Sequence, residues 1–352
     1  MNIAILKKKM ESAVSYYRLM PLLELARTDG HNVAILPPEH FTVDVAHSFD
    51  VLFCHRPSAK ELAAIATAVG IGVKVWIDMD DLLWSIHYAN PAFTHYTPQE
   101  HDTLLRAMQS ADVVSCSTAA LAEAIQAEFG RSAVVIPNAW NDREGGDYIA
   151  PYQHKVPITI LYRGSNTHDA DMYSHRDAFR EYDNVTYQFM GLQPWYLAKK
   201  YGGQLSTLNL MPFTSDVLSY FRKIQNMNPQ FVVVPLEDSE FNKCKSNIAW
   251  IEATMSGAVC IAPKYLPEFA SVPCIIYDNA AHLKEIIASI ATQDVQAWAT
   301  GAHQHSVEQM KERYALSKIN NARRVVLDVL AERAAAGQTG GRGGIQSQTV
   351  TP

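Results

Sequence analysis

Residues 235–263 read PLEDSEFNKCKSNIAWIEATMSGAVCIAP. A strand end leads into a polar loop, the loop into a helix, and the helix into a second short apolar run at 259–262. Strand, loop, helix, strand is the repeating unit of a parallel sheet covered by helices. Ser246 or Asn247 can cap the helix, and Lys245 stands just before its start. Exposed backbone N–H groups and the positive helix end favour an anion there, and an adjacent lysine suits a phosphate. The same residues also suit an ordinary capped helix with a surface lysine.

The alternation extends outward in both directions. Before this stretch, strand-like runs lie at 2–6, 32–36, 51–54, 73–77, 113–116 and 133–136. Helical patterns fall at 13–28, with Gly30 as a stop, and at 59–69, 98–110 and 119–129. Residues 141–157, NDREGGDYIAPYQHKVP, concentrate Gly, Pro and charge and read as a linker. A second series follows, with strands at 158–162, 185–190, 205–210, 231–234, 259–262 and 274–277. Its helices are expected at 174–182, 195–201, 214–226, 248–256 and 281–291. A long helical region, 295–336, precedes a Gly-rich polar tail at 337–352 that is expected to be disordered. The prediction is an α/β protein of two doubly wound, Rossmann-like domains facing a central cleft. Such domains bind ligands at the C-terminal ends of their strands.

Composition removes several classes. A formal net charge of -6 argues against a broad nucleic-acid surface, which needs clustered Lys and Arg. In MNIAILKKKM the apolar run precedes the lysines, the reverse of a secretory signal, and no run reaches the roughly 20 apolar residues of a membrane helix. The five cysteines form no CxxC pair and read as reduced thiols of a cytoplasmic protein without a zinc site. No GxGxxG follows the first strand, which argues against a dinucleotide-dependent redox enzyme.

A second informative segment is 158–173, ITILYRGSNTHDADMY. A strand ends in Arg163-Gly164-Ser165, and the loop beyond holds His168 and Asp171. Glycine at a strand end lets a ligand approach the backbone, and Ser165, its neighbouring amides and Arg163 can bind phosphate oxygens. Both segments lie at strand C-termini of one expected sheet and can clamp a diphosphate between them.

In the first half, residues 76–84 read WIDMDDLLW, placing Asp78, Asp80 and Asp81 after a strand. The Asp-x-Asp spacing suits a metal site, and Asp80 or Asp81 equally suits a helix cap. His55-Arg56 ends the strand at 51–54, where His55 can move protons near neutral pH. Tyr17-Arg18 on the first helix can reach the cleft.

The chain resembles bacterial and phage glycosyltransferases of the two-domain GT-B fold, close to glycosyltransferase family four. The resemblance is carried by LYRGSNTHDADM, VVPLEDSEFNKCKSNIAWIEATMSGAVCIAP, IPNAW and SYYRLMPLLELARTDGHNV, and it covers most of residues 1–330. It implies an acceptor-side domain at 1–145, a nucleotide-sugar domain at 155–295, and helices at 296–336 that cross back to the first domain. It implies sugar transfer from a UDP-, GDP- or other nucleotide-sugar to an acceptor hydroxyl, retaining and without a metal or other cofactor. Glu252 would bind the donor ribose. Lys245, with Ser246 and Asn247 beside it and Gly164-Ser165 and His168 opposite, would hold the diphosphate. Residues 237–242, with Glu240, Phe241 and Asn242, would border the sugar. Lys245, Arg163 and His55 are the expected catalytic groups, and Arg18, Asp78, Asp80 and Asp81 the acceptor-side ones. Many relatives carry two glutamates with seven residues between them, and counting back from Glu252 here puts Cys244 at the first of those positions. The acceptor, whether a glycan, a lipid-linked glycan, a protein or a modified DNA base, is not specified. A sugar-nucleotide epimerase or hydrolase, or a non-catalytic two-domain binding protein, are the competing readings.

Overall fold

The computed structural model describes residues 1–7, 12–143, 148–212, 214 and 216–337. The expected tail, apart from Gly337, and part of the expected linker lie outside the described residues. Contact density divides the chain into two compact units. The first comprises residues 1–84, 95–139 and 316 onward, and the second residues 85–94 and 140–315.

The first unit contains a six-stranded sheet, in the order β2-β1-β3-β4-β5-β6. Its strands are β1 (Asn2–Leu6), β2 (Asn32–Leu36), β3 (Val51–His55), β4 (Lys74–Met79), β5 (Val113–Cys116) and β6 (Val134–Val135), all parallel. β1, β3 and β4 are buried almost end to end, so they read as continuous apolar runs rather than alternating ones. The first helical pattern is two elements. Ser15–Leu19 winds as a π-helix, and Met20–Asp29 continues as an α-helix that stops at Gly30. A π-turn carries one extra residue and rotates the side chains that follow it. The core of this unit combines Ile3, Ile5, Leu19, Leu22 and Phe53 with Leu316, Ile319, Val326, Leu327 and Leu330 from the last helix, Leu316–Gly337.

The second unit has its own six-stranded sheet, ordered β12-β11-β10-β7-β8-β9. The strands are β7 (Ile158–Gly164), β8 (Val185–Gly191), β9 (Asn209–Met211), β10 (Phe231–Val233), β11 (Val259–Pro263) and β12 (Ile275–Tyr277), again all parallel. The chain runs outward from β7 to β9, then returns to lay β10 against the other side of β7. That reversal makes the β7/β10 boundary the switch point, where two loops diverge and leave a crevice. The helix Ile248–Met255 is buried from Ala249 through Met255, which explains its lack of an amphipathic period.

Several expected elements are shorter than their sequence patterns. Residues 174–182 hold only the 3-10 turn Arg176–Ala178, after a short helix Asp169–Ser174. Residues 195–201 form two 3-10 turns, Trp195–Leu197 and Lys199–Tyr201. The region 295–336 is two helices, Gln296–Arg313 and Leu316–Gly337, of which the first lies in the second unit and the other in the first.

Candidate functional site

At the β7/β10 switch one carboxylate joins the two loops. Asp171 Oδ1 accepts from the Glu237 backbone N–H at 3.0 Å and from Asn242 Nδ2 at 2.8 Å. Its Oδ2 lies 2.8 Å from His168 Nδ1. Burial pushes the Asp171 carboxyl up, but the His168 ring, the Glu237 N–H and Asn242 more than offset this and hold it below the ordinary range. Asn242 is 2% exposed and also donates to Glu237 O at 3.0 Å. The loop after β7 and the loop after β10 therefore form one hydrogen-bonded body. Because Asp171 takes Nδ1, the His168 ring is fixed with Nε2 as its outward nitrogen.

Gly164 ends β7 for a reason the residue string does not reveal. A Cβ there would lie 2.4 Å from the Tyr162 hydroxyl. The glycine is required by the buried phenol of Tyr162, two residues back on the same strand, before any ligand is considered. Ser165 Oγ pairs with Thr167 Oγ1 at 2.5 Å, which brings Thr167 into the same turn.

Lys245 Nζ sits 4.3 Å from the centre of the Phe241 ring, a cation–π contact that holds the ammonium beside the start of the helix Ile248–Met255. Asn247 is the N-cap residue of that helix, but its side chain does not accept from the first turn. The cap expected of Asn247 is thus corrected. Asn247 is 1% exposed and its Nδ2 finds no partner among the described residues. Glu240 lies outside this core, exposed and paired with Lys243 at 3.0 Å.

Glu252 is 5% exposed on the buried helix and needs partners. Tyr220 Oη donates to its Oε2 at 2.7 Å, and Arg163 Nε lies 2.8 Å from the same oxygen. Arg163 is therefore an ion-pair partner of Glu252 in this structure, not an unengaged cation at the strand end. Tyr220 was missed because only its place on the amphipathic face of Val217–Met227 marks it, and that face also fits plain core. Cys244 is buried.

In the first unit the expected acceptor-side residues are bound to one another. Arg18 is 3% exposed; its Nε and Nη2 reach Asp78 at 2.9 and 2.6 Å, and Nη1 reaches Ile136 O at 2.6 Å and Asn138 Oδ1 at 3.2 Å. Ser115 Oγ donates to Asp78 at 2.6 Å and receives Trp76 Nε1 at 2.8 Å. Arg18 and Asp78, both expected on the acceptor side, are thus a buried ion pair with each other. Arg323, on the last helix, is 2% exposed and bonds Asn320 at 3.0 Å. Burial and the nearby Arg18 push its guanidinium pKa down. Neither Arg323 nor Asn320 carries a motif.

His55 is also buried, with Nε2 3.0 Å from Asp80. Arg56 adopts φ +47°, a left-handed backbone that a non-glycine residue enters at a cost. It is held there by its N–H on Asp78 O at 2.9 Å and by its guanidinium on Asp80 and Asp81. Burial raises Asp80, but Arg56 and His55 dominate and hold it well below the carboxylate range. His55, one of the expected catalytic groups, is thus placed as a partner of Asp80. Among the described residues no group of three or more His, Cys, Asp or Glu is placed to hold a metal ion. No described helix is long and apolar enough to cross a membrane.

No family model matches the chain, and no curated protein matches it. Solved structures do. HepE of Anabaena, in complex with UDP-glucose, aligns with a TM-score of 0.61 at 14% identity, covering 93% of this chain and 99% of that one. A UDP-forming α,α-trehalose-phosphate synthase from Burkholderia vietnamiensis gives 0.59 at 10% identity over 96% and 98%. The BGT of phage T4, in complex with UDP and Mn2+, gives 0.58 at 13% identity over 94% and 99%. At such identities the likeness fixes the fold, and that fold is the GT-B class with two Rossmann-like domains.

Proposed function

We propose that the chain is a glycosyltransferase near family four, moving a sugar from a nucleoside diphosphate sugar to an acceptor hydroxyl. One observation carries the reading: Asp171 ties together, at the β7/β10 switch, the two loops that hold Arg163, Ser165 and His168 on one side and Lys245 on the other. A diphosphate placed there meets backbone donors, an imidazole edge and an ammonium at the start of a buried helix. UDP is the working choice of nucleotide, since UDP or UDP-glucose is named with two of the fold's neighbours.

In the reaction the bond between the anomeric carbon and the diphosphate oxygen breaks and the bond to the acceptor oxygen forms. The acceptor proton passes to a departing phosphate oxygen, which keeps the anomeric configuration and asks for no base from the protein. Lys245 offsets charge growing on the leaving diphosphate. Glu252, fixed by Tyr220 and Arg163, accepts the ribose hydroxyls. The step is proposed to run without a metal, since Asp78, Asp80 and Asp81 are taken by Arg18, Arg56 and His55.

Calorimetry and thermal shift with UDP, GDP and their sugars test the reading. UDP binding that weakens in Glu252→Ala supports it, as does sugar transfer that persists in chelator. Absence of binding by every nucleotide would remove it.

A further inference from the structure

Beyond β8 the second unit builds a closed loop that displays aromatic rings. Leu197 is 1% exposed and anchors the loop in the core. Gln204 and Leu205 return to the Leu197 carbonyl at 3.0 and 2.9 Å, and Lys199 N–H reaches Leu205 O at 2.6 Å. Gly203 permits this closure, because a Cβ there would come within 2.3 Å of the Tyr196 and Leu197 backbone. From this frame Trp195 stands 49% exposed and Tyr201 61% exposed. Their rings meet edge-on at 6.2 Å, with Lys200 Nζ 4.9 Å from the Tyr201 ring. Tyr173, 50% exposed, extends the patch through a 5.1 Å edge contact with Tyr196 and carries Arg176 at 4.1 Å.

Displaying a tryptophan and two tyrosines on a backbone this tightly closed is costly for a surface with no partner, since large exposed apolar area on a soluble protein marks contact sites. The patch also joins the candidate donor site. β7 and β8 run parallel with Gly164 beside Gly191, and Tyr196 Oη bonds both Asp169 O and its carboxylate, two residues from Asp171.

We propose that Tyr173, Trp195 and Tyr201 form a platform for an extended oligosaccharide, whose sugar rings lie against the aromatic faces. The charge around the rings selects this occupant. Lys200 and Arg176 are interleaved with Asp169, Asp177 and Glu181, and Gln204 bonds Asp177 at 3.2 Å within the same frame. A single-stranded nucleic acid or an anionic bilayer requires a surface of one sign, with basic residues clustered. Rings among mixed charges suit a largely uncharged polymer with many hydroxyls.

The test is a glycan array, followed by calorimetry on the glycans retained, using the full chain, Trp195→Ala, Tyr201→Ala and Trp195→Phe, with UDP titrated in parallel. The expected result is oligosaccharide affinity about tenfold weaker in both alanine variants, largely kept in Trp195→Phe, with UDP affinity unchanged. A wild-type chain that retains no glycan overturns the platform, as does equal retention by Trp195→Ala. So does Trp195-dependent binding to phosphatidylglycerol vesicles or to single-stranded DNA in place of glycan. A chain that held glycan through Trp195 but bound no nucleotide would remove the transferase and leave the platform standing.

Discussion

Asp171 spends both carboxylate oxygens on separate tasks, one joining Glu237 and Asn242, the other orienting His168. Asp171→Asn keeps the size but replaces one acceptor with a donor, so the His168 tautomer changes. UDP affinity is expected to fall about tenfold, a loss typical of one charge-assisted hydrogen bond, while Asp171→Glu restores part of it. Lys245→Ala tests the chemical step. Loss of one preorganised charge at the leaving group is expected to lower turnover by roughly 10²–10³-fold. Its thermal midpoint should stay near wild type, because the side chain is only half-buried. A variant that melts early but turns over normally would remove Lys245 from catalysis. Lys245, His168 and Gly164-Ser165 stand out in the residue string as phosphate-binding types, the role proposed for them above. The pairing of Arg18 with Asp78 does not, since those residues lie sixty positions apart and only the folded sheet brings them together.

At the scale of elements, buried parallel strands were the most legible, because strands covered on both faces must be apolar throughout. Turn-length pieces were least so. Residues 174–182 looked helical, yet adjacent Ala178 and Phe179 are both buried, which one 3-10 turn satisfies and a helical face does not. The short helix Pro267–Ala270 holds an element-scale switch of stability. Burial raises the Glu268 carboxyl to about 7, with Arg313 opposing, and Tyr314 is a further titratable neighbour. Its folded value exceeds the unfolded 4.5, so its stabilising contribution is complete below pH 4.5 and is lost as pH rises through about 7. Wild type is therefore expected to lose up to roughly 3 kcal/mol of stability between those limits through this group. Glu268→Gln should flatten that part of the profile; urea melts of both proteins at pH 5 and pH 8 check it.

Over the whole molecule, each unit carries its own sheet and its own core, and all the candidate donor residues belong to the second. The first unit depends on the last helix, where Leu330 is fully buried. Leu330→Ala is expected to cost about 2–5 kcal/mol. Hydrogen exchange should show the loss in β1 and β3 while β7 and β10 keep their protection. Equal loss of protection in both sheets would mean that the units melt as one. The same helix has a consequence for synthesis. A ribosome delivers residues 1–139 first, but Ile3, Leu19 and Phe53 cannot complete their packing until Leu316–Leu330 has emerged. The later-made unit can close while the earlier one still waits with its apolar face open. That reverses the usual N-terminal-first order of nascent folding, so a holding chaperone would find its target in the half translated first.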